Sequence, residues 1–290
     1  MRSASTAAVR VRANPADEAL LDLATARPAL AEERARTVLH VSRDPRERTF
    51  AHHALGIVRR DAGDVGAALR ALRAGLRLAE RHGLHDRAAD VAATLGTALA
   101  LGGKSGEATQ SFDKALRLCP DPVATARVRV RRAAVAHWCG GNVHAALDDY
   151  RAAVPVLHRH GDLLWEARAR INRAWTLLEL GDLDSAETDL RHAEEIHTAG
   201  SHWRVAAIAR NNRAEVARRR GDLPAALHHL DVAAELYAQA GETPPELYVD
   251  RARVLLAAGL PADALESART ALTSTARWPA PVRRAATVLS

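Results

Sequence analysis

The sequence predicts an all-α fold made of repeated helix pairs, and three observations carry this prediction. Alanine accounts for 64 of the 290 residues. Aromatic residues make up 3%. Because alanine, leucine, arginine and glutamate favour helices, whereas β-branched and aromatic residues favour strands, this composition excludes an all-β protein. The third observation is a glycine that recurs at nearly constant spacing, which indicates a repeat array.

Six segments share a glycine that is followed by an alanine five residues later. Successive glycines recur at a nearly constant interval of about 40 residues, and composition alone does not produce so regular a spacing. The glycines are Gly63, Gly103, Gly141, Gly181, Gly221 and Gly259, and the alanines are Ala68, Ala108, Ala146, Ala186, Ala226 and Ala264.

Each repeat is predicted to contain two helices joined by a short turn. The glycine ends the first helix because it adopts the left-handed conformation that a residue with a Cβ resists. The alanine lies where the two helix backbones approach closely. Pro224 and Pro261 fall in the first turn of their second helices, where a missing N–H costs nothing. An Asp or Asn after the glycine caps the second helix; these residues are Asp64, Asn142, Asp182 and Asp222.

These segments resemble the tetratricopeptide repeat. Their period is somewhat longer than the usual period of about 34 residues, which is similar to the long repeats of the kinesin-light-chain type. The resemblance implies a right-handed superhelical solenoid in which the first helices line a concave groove. The residues that carry it are Gly56, Ala68 and Leu72 in the first copy, Gly96, Ala108, Phe112, Ala115, Leu116 and Pro120 in the second, and Ala134, Ala146, Tyr150 and Ala153 in the third. The later copies contribute Ala174, Ala186, Leu190, Ala193, Ala214, Ala226, Leu230, Ala233, Ala252, Ala264 and Ala271.

The predicted array covers residues 15–277 and contains about seven helix pairs. Residues 17–42 are expected to form a degenerate first pair, with Ala31 and Leu39 in its second helix. We expect residues 1–14 to be a disordered N-terminus. Residues 278–290 begin with Trp278-Pro279 and then start a further helix, so the chain is predicted to be the front part of a longer protein.

Charge and cysteine content narrow the class of protein. The net charge is +6, and acidic residues interleave with arginine, so a dedicated nucleic-acid surface is not expected. Two cysteines cannot form a disulfide framework. The longest nearly uncharged apolar stretch, 91–103, is shorter than the roughly 20 residues that span a bilayer. With no secretory signal in residues 1–14, we expect a cytoplasmic protein that does not bind a membrane.

No catalytic, metal or cofactor site is predicted. The adjacent pairs His52-His53 and His228-His229 point to different faces of a helix, and no H-E-x-x-H motif is present. No phosphate-binding loop of the G-x-x-x-x-G-K-[ST] type occurs. Cys119 and Cys139 lie 20 residues apart without a second pair of ligand residues, so no zinc site is expected. We therefore expect neither enzymatic activity nor a cofactor.

The candidate binding residues lie on the first helices. Arg168, Asn172 and Trp175 share one helix face because they are four and three residues apart. The resemblance implies that Asn172 and Asn212 grip the backbone of an extended peptide. The neighbouring candidates are Asn211 in the fifth copy and Arg131, Arg132 and Trp138 in the third, with Arg132 at the position that matches Asn172. The alternative for these side chains is structural: the asparagines cap contacts between helices, and the tryptophans fill the core.

The sequence favours a non-catalytic scaffold that binds a protein or an extended, acidic peptide in its groove. Arginine forks pair with carboxylates, and amides pair with peptide backbone. A second hypothesis rests on a resemblance to the N-terminal repeats of actinobacterial proteins that end in a CHAT domain, a caspase-like peptidase; the array would then regulate a catalytic domain beyond residue 290. A third is the effector-sensing part of a transcription regulator.

Overall fold

The computed structural model describes residues 15–119, 121–140, 142–199, 203–241 and 244–274, and in these ranges the chain forms fourteen helices and no strand. The all-α prediction is therefore confirmed. The predictions for 1–14 and 278–290 fall outside the described residues. The helices are α1 (Pro15–Ala26), α2 (Pro28–Val41), α3 (Pro45–Asp61), α4 (Val65–Arg81), α5 (His85–Leu101), α6 (Ser105–Leu118), α7 (Pro122–Trp138), α8 (Val143–Arg159), α9 (Leu163–Glu179), α10 (Leu183–Ala199), α11 (Trp203–Arg219), α12 (Leu223–Gln239), α13 (Pro245–Ala257) and α14 (Pro261–Ser274).

The chain divides into two compact units, residues 1–118 with α1–α6 and residues 119–290 with α7–α14. Within each unit every odd-numbered helix packs on the even-numbered helix that follows it. Each pair then packs on the next one: α2 on α3 and α4 on α5 in the first unit, and α8 on α9, α10 on α11 and α12 on α13 in the second. The predicted stacking of helix pairs is therefore confirmed inside each unit.

The turns inside the pairs are built as the sequence predicts. Five of the six recurring glycines have positive φ, between +74° at Gly259 and +81° at Gly63, and the sixth, Gly141, falls outside the described residues. All four predicted caps accept a hydrogen bond from a backbone N–H three residues later, at 2.9 Å for Asp64, 3.0 Å for Asn142 and Asp222, and 3.1 Å for Asp182. In each of these repeats, the cap therefore bonds one of the backbone N–H groups that have no partner within the first turn of the second helix.

The close approach of the two helices in a pair is also confirmed. The alanines that follow the glycines by five residues are buried, with exposures from 0% for Ala68 to 7% for Ala264. On the facing helix, a Cβ added to Gly56 would lie 2.4 Å from Leu72 Cγ, and one added to Gly96 would lie 2.8 Å from the Phe112 ring. Glycine is therefore required in these two pairs because a large side chain packs directly on its backbone.

The pair α7–α8 departs from the predicted register. The connection between these helices is one residue longer, spanning 139–142, than the connections within the other pairs from α3 onwards. This extra residue shifts α7 by one position, so Ala133 is fully buried and Ala134 is half-buried. The residue of α7 that matches Asn172 is consequently Arg131 and not, as the glycine spacing suggested, Arg132.

Candidate functional site

One side of α9 is not covered by its neighbours. It carries Trp165, Arg168, Asn172, Trp175 and Glu179, spaced by three or four residues so that they share one helix face, and each of them is exposed or half-buried. The opposite side of α9 packs on α10 and is buried. We call the uncovered side, together with the matching positions of α7 and α11, the open face. Its α7 members are Ala124, Arg127, Arg131, Ala134 and Trp138, and its α11 members are Val205, Ile208, Asn212, Glu215 and Arg219.

Three arginines surround a single indole near the beginning of α9. The guanidinium carbons of Arg131, Arg168 and Arg127 lie 4.9, 5.4 and 6.0 Å from the centre of the Trp165 ring. Such contacts between a cation and an aromatic face are attractive and hold the guanidinium groups in place. Arg127 also bonds to the carboxylate of Asp162, at 2.7 Å from Nε. We call Arg127, Arg131, Trp165 and Arg168 the cationic cluster.

Two tryptophans meet near the other ends of α7 and α9. The side chain of Trp138 is exposed. It stacks on His137 with 4.4 Å between the ring centres and stands edge-on to Trp175 at 6.1 Å. His137 is itself buried, with Nδ1 2.9 Å from Thr176 Oγ1 and Nε2 2.9 Å from the Glu179 carboxylate. We call Trp138 and Trp175 the aromatic pair; its exposed member, Trp138, rests on an imidazole that is held by two further contacts.

Asn172 lies on the open face between the cationic cluster and the aromatic pair, where it is half-buried. The buried hydroxyl of Tyr150 on α8 lies near this side chain. Burial raises the pKa of the Tyr150 hydroxyl, and the nearby Asn172 amide opposes that shift. The hydroxyl makes no direct hydrogen bond to the described residues. Asn172 therefore lies on the open face beside the seam between α8 and α9, and its amide offers two N–H donors and a carbonyl acceptor.

The asparagines of α11 have different surroundings. Asn212 has the register of Asn172 but is 6% exposed. Asn211 is also buried, and its amide donates to Asp250 Oδ2 on α13 at 2.8 Å. Burial raises the pKa of Asp250, and the bonds from Asn211 and Arg253 oppose that shift. The structure therefore places Asn211 in the seam between α11 and α13 and not on the open face.

Arg132 faces its own second helix. Its Nε and Nη2 donate to the two carboxylate oxygens of Asp149 on α8, at 2.7 and 2.8 Å, and Arg129 lies 3.5 Å from the same group. The side chain of Asp149 is buried. We call this arrangement an arginine clasp: two arginines, three residues apart on a first helix, bind one buried aspartate of the second helix. Arg132 therefore stabilises a helix pair and does not belong to the open face.

The next pair repeats the arginine clasp. Arg173 donates to both oxygens of Asp189 at 2.6 Å, and Arg170 donates to Oδ1 at 3.0 Å. The side chain of Asp189 is 3% exposed. Neither the clasps nor the role of Trp165 was predicted from the sequence, although the two aspartates lie one repeat period apart and this recurrence could have identified them.

In the pair α11–α12 a histidine stands where the two preceding pairs have an aspartate. Arg210 and Arg213 occupy the clasp positions of α11, and the residue one repeat period after Asp189 is His229. Arg213 instead bonds backwards to Glu187 and Glu194 of α10, at 2.8 and 2.7 Å. Burial, with the charges of Arg213 and Arg210, lowers the pKa of His229 to about 4. Its buried Nδ1 has no hydrogen-bond partner among the described residues.

No group of three or more His, Cys, Asp or Glu side chains in the described ranges is placed to hold a metal ion. None of the helices in that part of the chain combines the length and the apolar character needed to cross a membrane.

The sequence model of the tetratricopeptide repeat matches residues 167–192, 207–231 and 245–270. The three matches follow one another at the spacing of the recurring glycines in this part of the chain. They cover α9 to α14 in part, including the second arginine clasp and its altered successor. The sequence matches no curated protein.

Several solved structures share the fold at low sequence identity. BtubC (BKLC) from P. vanneervenii is 17% identical, with a TM-score of 0.60 over 77% of this chain and 94% of that one. A Rap protein complexed with Competence and Sporulation Factor is 14% identical, with a TM-score of 0.66 over 90% of this chain and 76% of that one. A signal transduction ATPase with a tetratricopeptide repeat sensor, from Pyrococcus horikoshii, is 13% identical, with a TM-score of 0.68 over 94% of this chain and 43% of that one. None of these names bears on the CHAT-domain hypothesis.

Proposed function

Because the chain is a tetratricopeptide-repeat protein, we propose that it is a non-catalytic scaffold that binds a segment of another protein on the open face of α7, α9 and α11. The observation that carries the proposal is the cationic cluster next to Asn172 on a face that its neighbouring helices leave uncovered. Repeat arrays use extended surfaces of this kind for binding. A cytoplasmic location and the absence of catalysis belong to the same proposal.

The chemistry of the open face favours an extended, acidic segment. Guanidinium groups form paired, charge-assisted hydrogen bonds with carboxylates. Arg168 is exposed, and Arg131 is half-buried beside it on the same indole. The Asn172 amide can donate to a peptide carbonyl or accept from a peptide N–H. A segment with carboxylate side chains and an accessible backbone would satisfy both kinds of group. The neighbouring Rap structure, which holds Competence and Sporulation Factor, supports the view that this fold accommodates a bound partner.

A selection from a random library of twelve-residue peptides displayed on phage tests this proposal with the full chain as bait. The affinities of the selected peptides are then measured by fluorescence anisotropy. We expect Arg168→Glu to weaken binding at least tenfold because it reverses a charge of the cationic cluster, and Asn172→Ala to weaken it several-fold. Arg151→Glu is the matched control, since it makes the same charge change on α8 at a side chain that is 64% exposed and lies off the open face.

Circular dichroism shows whether each variant keeps its helices. Selected peptides that bind the wild-type chain and Arg168→Glu equally well, with both proteins folded, would contradict the proposal. The proposal would also be contradicted if selection on the wild-type chain enriches no peptide that selection on Arg168→Glu does not enrich.

A further inference from the structure

We infer that the open face recognises a bipartite segment, in which a carboxylate binds the cationic cluster and a large apolar side chain binds the aromatic pair. This inference rests on the proposed function and makes it more specific. It states that acidic character alone does not define the ligand. It also states how far apart in the ligand the two groups must lie.

The cationic cluster is suited to a carboxylate. Each of its arginines lies against the Trp165 ring, and a guanidinium group that rests on an aromatic face still directs N–H groups outwards from its edge. Because the indole restricts these side chains, less conformational entropy is lost when a ligand binds them. The cluster spans two helices, with Arg127 and Arg131 on α7 and Arg168 on α9. A carboxylate held there would contact both.

The aromatic pair is suited to an apolar side chain. Trp138 is 56% exposed, at the end of a helix whose neighbour presents Trp175 edge-on at 6.1 Å. The stacked imidazole of His137 covers one face of the Trp138 ring and leaves the rest available. Tryptophan and arginine are the residues that most often dominate binding energy at interfaces. A phenylalanine, tryptophan, tyrosine or leucine packed against the exposed indole would remove apolar surface of both partners from water.

The length of α9 sets the distance between the two subsites. Trp165 and Trp175 are ten residues apart on this helix, which corresponds to about 15 Å at roughly 1.5 Å per residue. An extended peptide advances by about 3.3 Å per residue. The carboxylate and the apolar side chain of the ligand are therefore expected four to five positions apart. Asn172 lies between the subsites, where the intervening backbone would pass.

The phage-displayed library provides the first test. Wild-type chain is expected to enrich peptides with Asp or Glu four to five positions from Phe, Tyr, Trp or Leu. The same selection on Trp138→Ala is expected to keep the acidic residue and lose the apolar one. If both baits enrich acidic peptides with no apolar preference at that spacing, the inference is overturned while the proposed function stands. If Arg168→Glu enriches the same peptides as wild type, the proposed function falls and the inference with it.

A double-mutant cycle gives the second test. Replacing the apolar residue of a selected peptide by alanine is expected to weaken binding about tenfold to the wild-type chain and less than twofold to Trp138→Ala. Leu265→Ala on α14 is the control for removing an exposed apolar side chain, since Leu265 is 37% exposed and lies off the open face. It should leave the tenfold loss unchanged. Equal losses on wild type and Trp138→Ala would refute contact between the two side chains.

Discussion

The pairs α9–α10 and α11–α12 have arginines at the same two positions of their first helices, but these arginines bind different partners. In α9–α10, Arg170 and Arg173 bind Asp189 of their own second helix. In α11–α12 the equivalent position is His229, and Arg213 bonds to two glutamates of the preceding pair. The arginines at this repeated position thus contact an aspartate of their own pair in α9–α10 and glutamates of the preceding pair in α11–α12.

A third arrangement occurs where the first helix has no arginine pair. At the position of Asp189, α6 has Ser111, whose hydroxyl donates to the carbonyl of Ala92 at 2.8 Å. Its counterpart in α14, Ser267, donates to the carbonyl of Tyr248 at 3.0 Å. The two buried aspartates, Asp149 and Asp189, therefore each face two guanidinium groups, whereas Ser111 and Ser267 face first helices without that arginine pair. This correspondence is expected because an uncompensated buried charge costs several kcal/mol.

The largest effect is expected from breaking the clasp of α9–α10. Asp189→Ala leaves Arg170 and Arg173 without their buried carboxylate, and we expect the free energy of unfolding to fall by about 3 kcal/mol. Urea denaturation followed by circular dichroism measures the change. Asp148→Ala serves as its control, because the Asp148 side chain is 79% exposed and lies 3.9 Å from Arg151; its effect should stay below about 0.5 kcal/mol. Equal losses for the two variants would show that the clasp contributes nothing beyond a surface pair.

A smaller effect, dependent on pH, is expected from α11–α12. The pKa of His229 lies at about 4 in the folded chain, against its ordinary 6.5. Between these values the unfolded chain binds a proton that the folded chain does not, so stability should fall as the pH is lowered from about 6.5 to about 4. His229→Gln should remove this part of the pH dependence. The exposed His144 on α8 provides the control variant His144→Gln, which should keep the wild-type profile. If the stability of His229→Gln falls as much as that of the wild-type chain between about pH 6.5 and about pH 4, His229 does not cause this pH dependence.

The smallest effect is expected from the serine arrangement. Ser111→Ala removes one neutral hydrogen bond and leaves no charge behind, so the loss should be about 1 kcal/mol. Ser267→Ala removes the equivalent bond in α13–α14 and should cost a similar amount. Urea midpoints of both variants, compared with that of Asp189→Ala, rank the serine arrangement against the arginine clasp. A Ser111→Ala loss as large as that of Asp189→Ala would mean that charge does not distinguish them.

Much of the fold could be predicted because its signals are local. The left-handed glycine at Gly221 and the cap at Asp222 act within one turn, and the burial of Ala226 follows from its place five residues after the glycine. The candidate site was less accessible to such reasoning. Arg168 and its neighbours on α9 share one helix face, and their role in binding stays a prediction. Asn211, by contrast, bonds to Asp250 on the neighbouring first helix.

The register of α7 shows why such details escape prediction from the sequence. A single additional residue between α7 and α8 rotates the whole helix by about 100° relative to the repeat spacing, since an α-helix turns once in roughly 3.6 residues. That rotation directs Arg132 to Asp149 and places Arg131 on the open face. The glycine spacing counts residues between turns and does not reveal that the extra residue lies in the connection between α7 and α8.

The helix pairs, their period and their caps follow from the sequence, because glycine, aspartate and small residues act on the backbone within a few positions of themselves. Which arginines belong to the open face and which close a clasp is decided by tertiary packing. Arg131 and Arg132 are adjacent and chemically identical, and only the packing of α7 on α8 and α9 gives one an indole and the other a buried carboxylate. Side chains on different helices meet through that packing, and no local signal records which of them will do so.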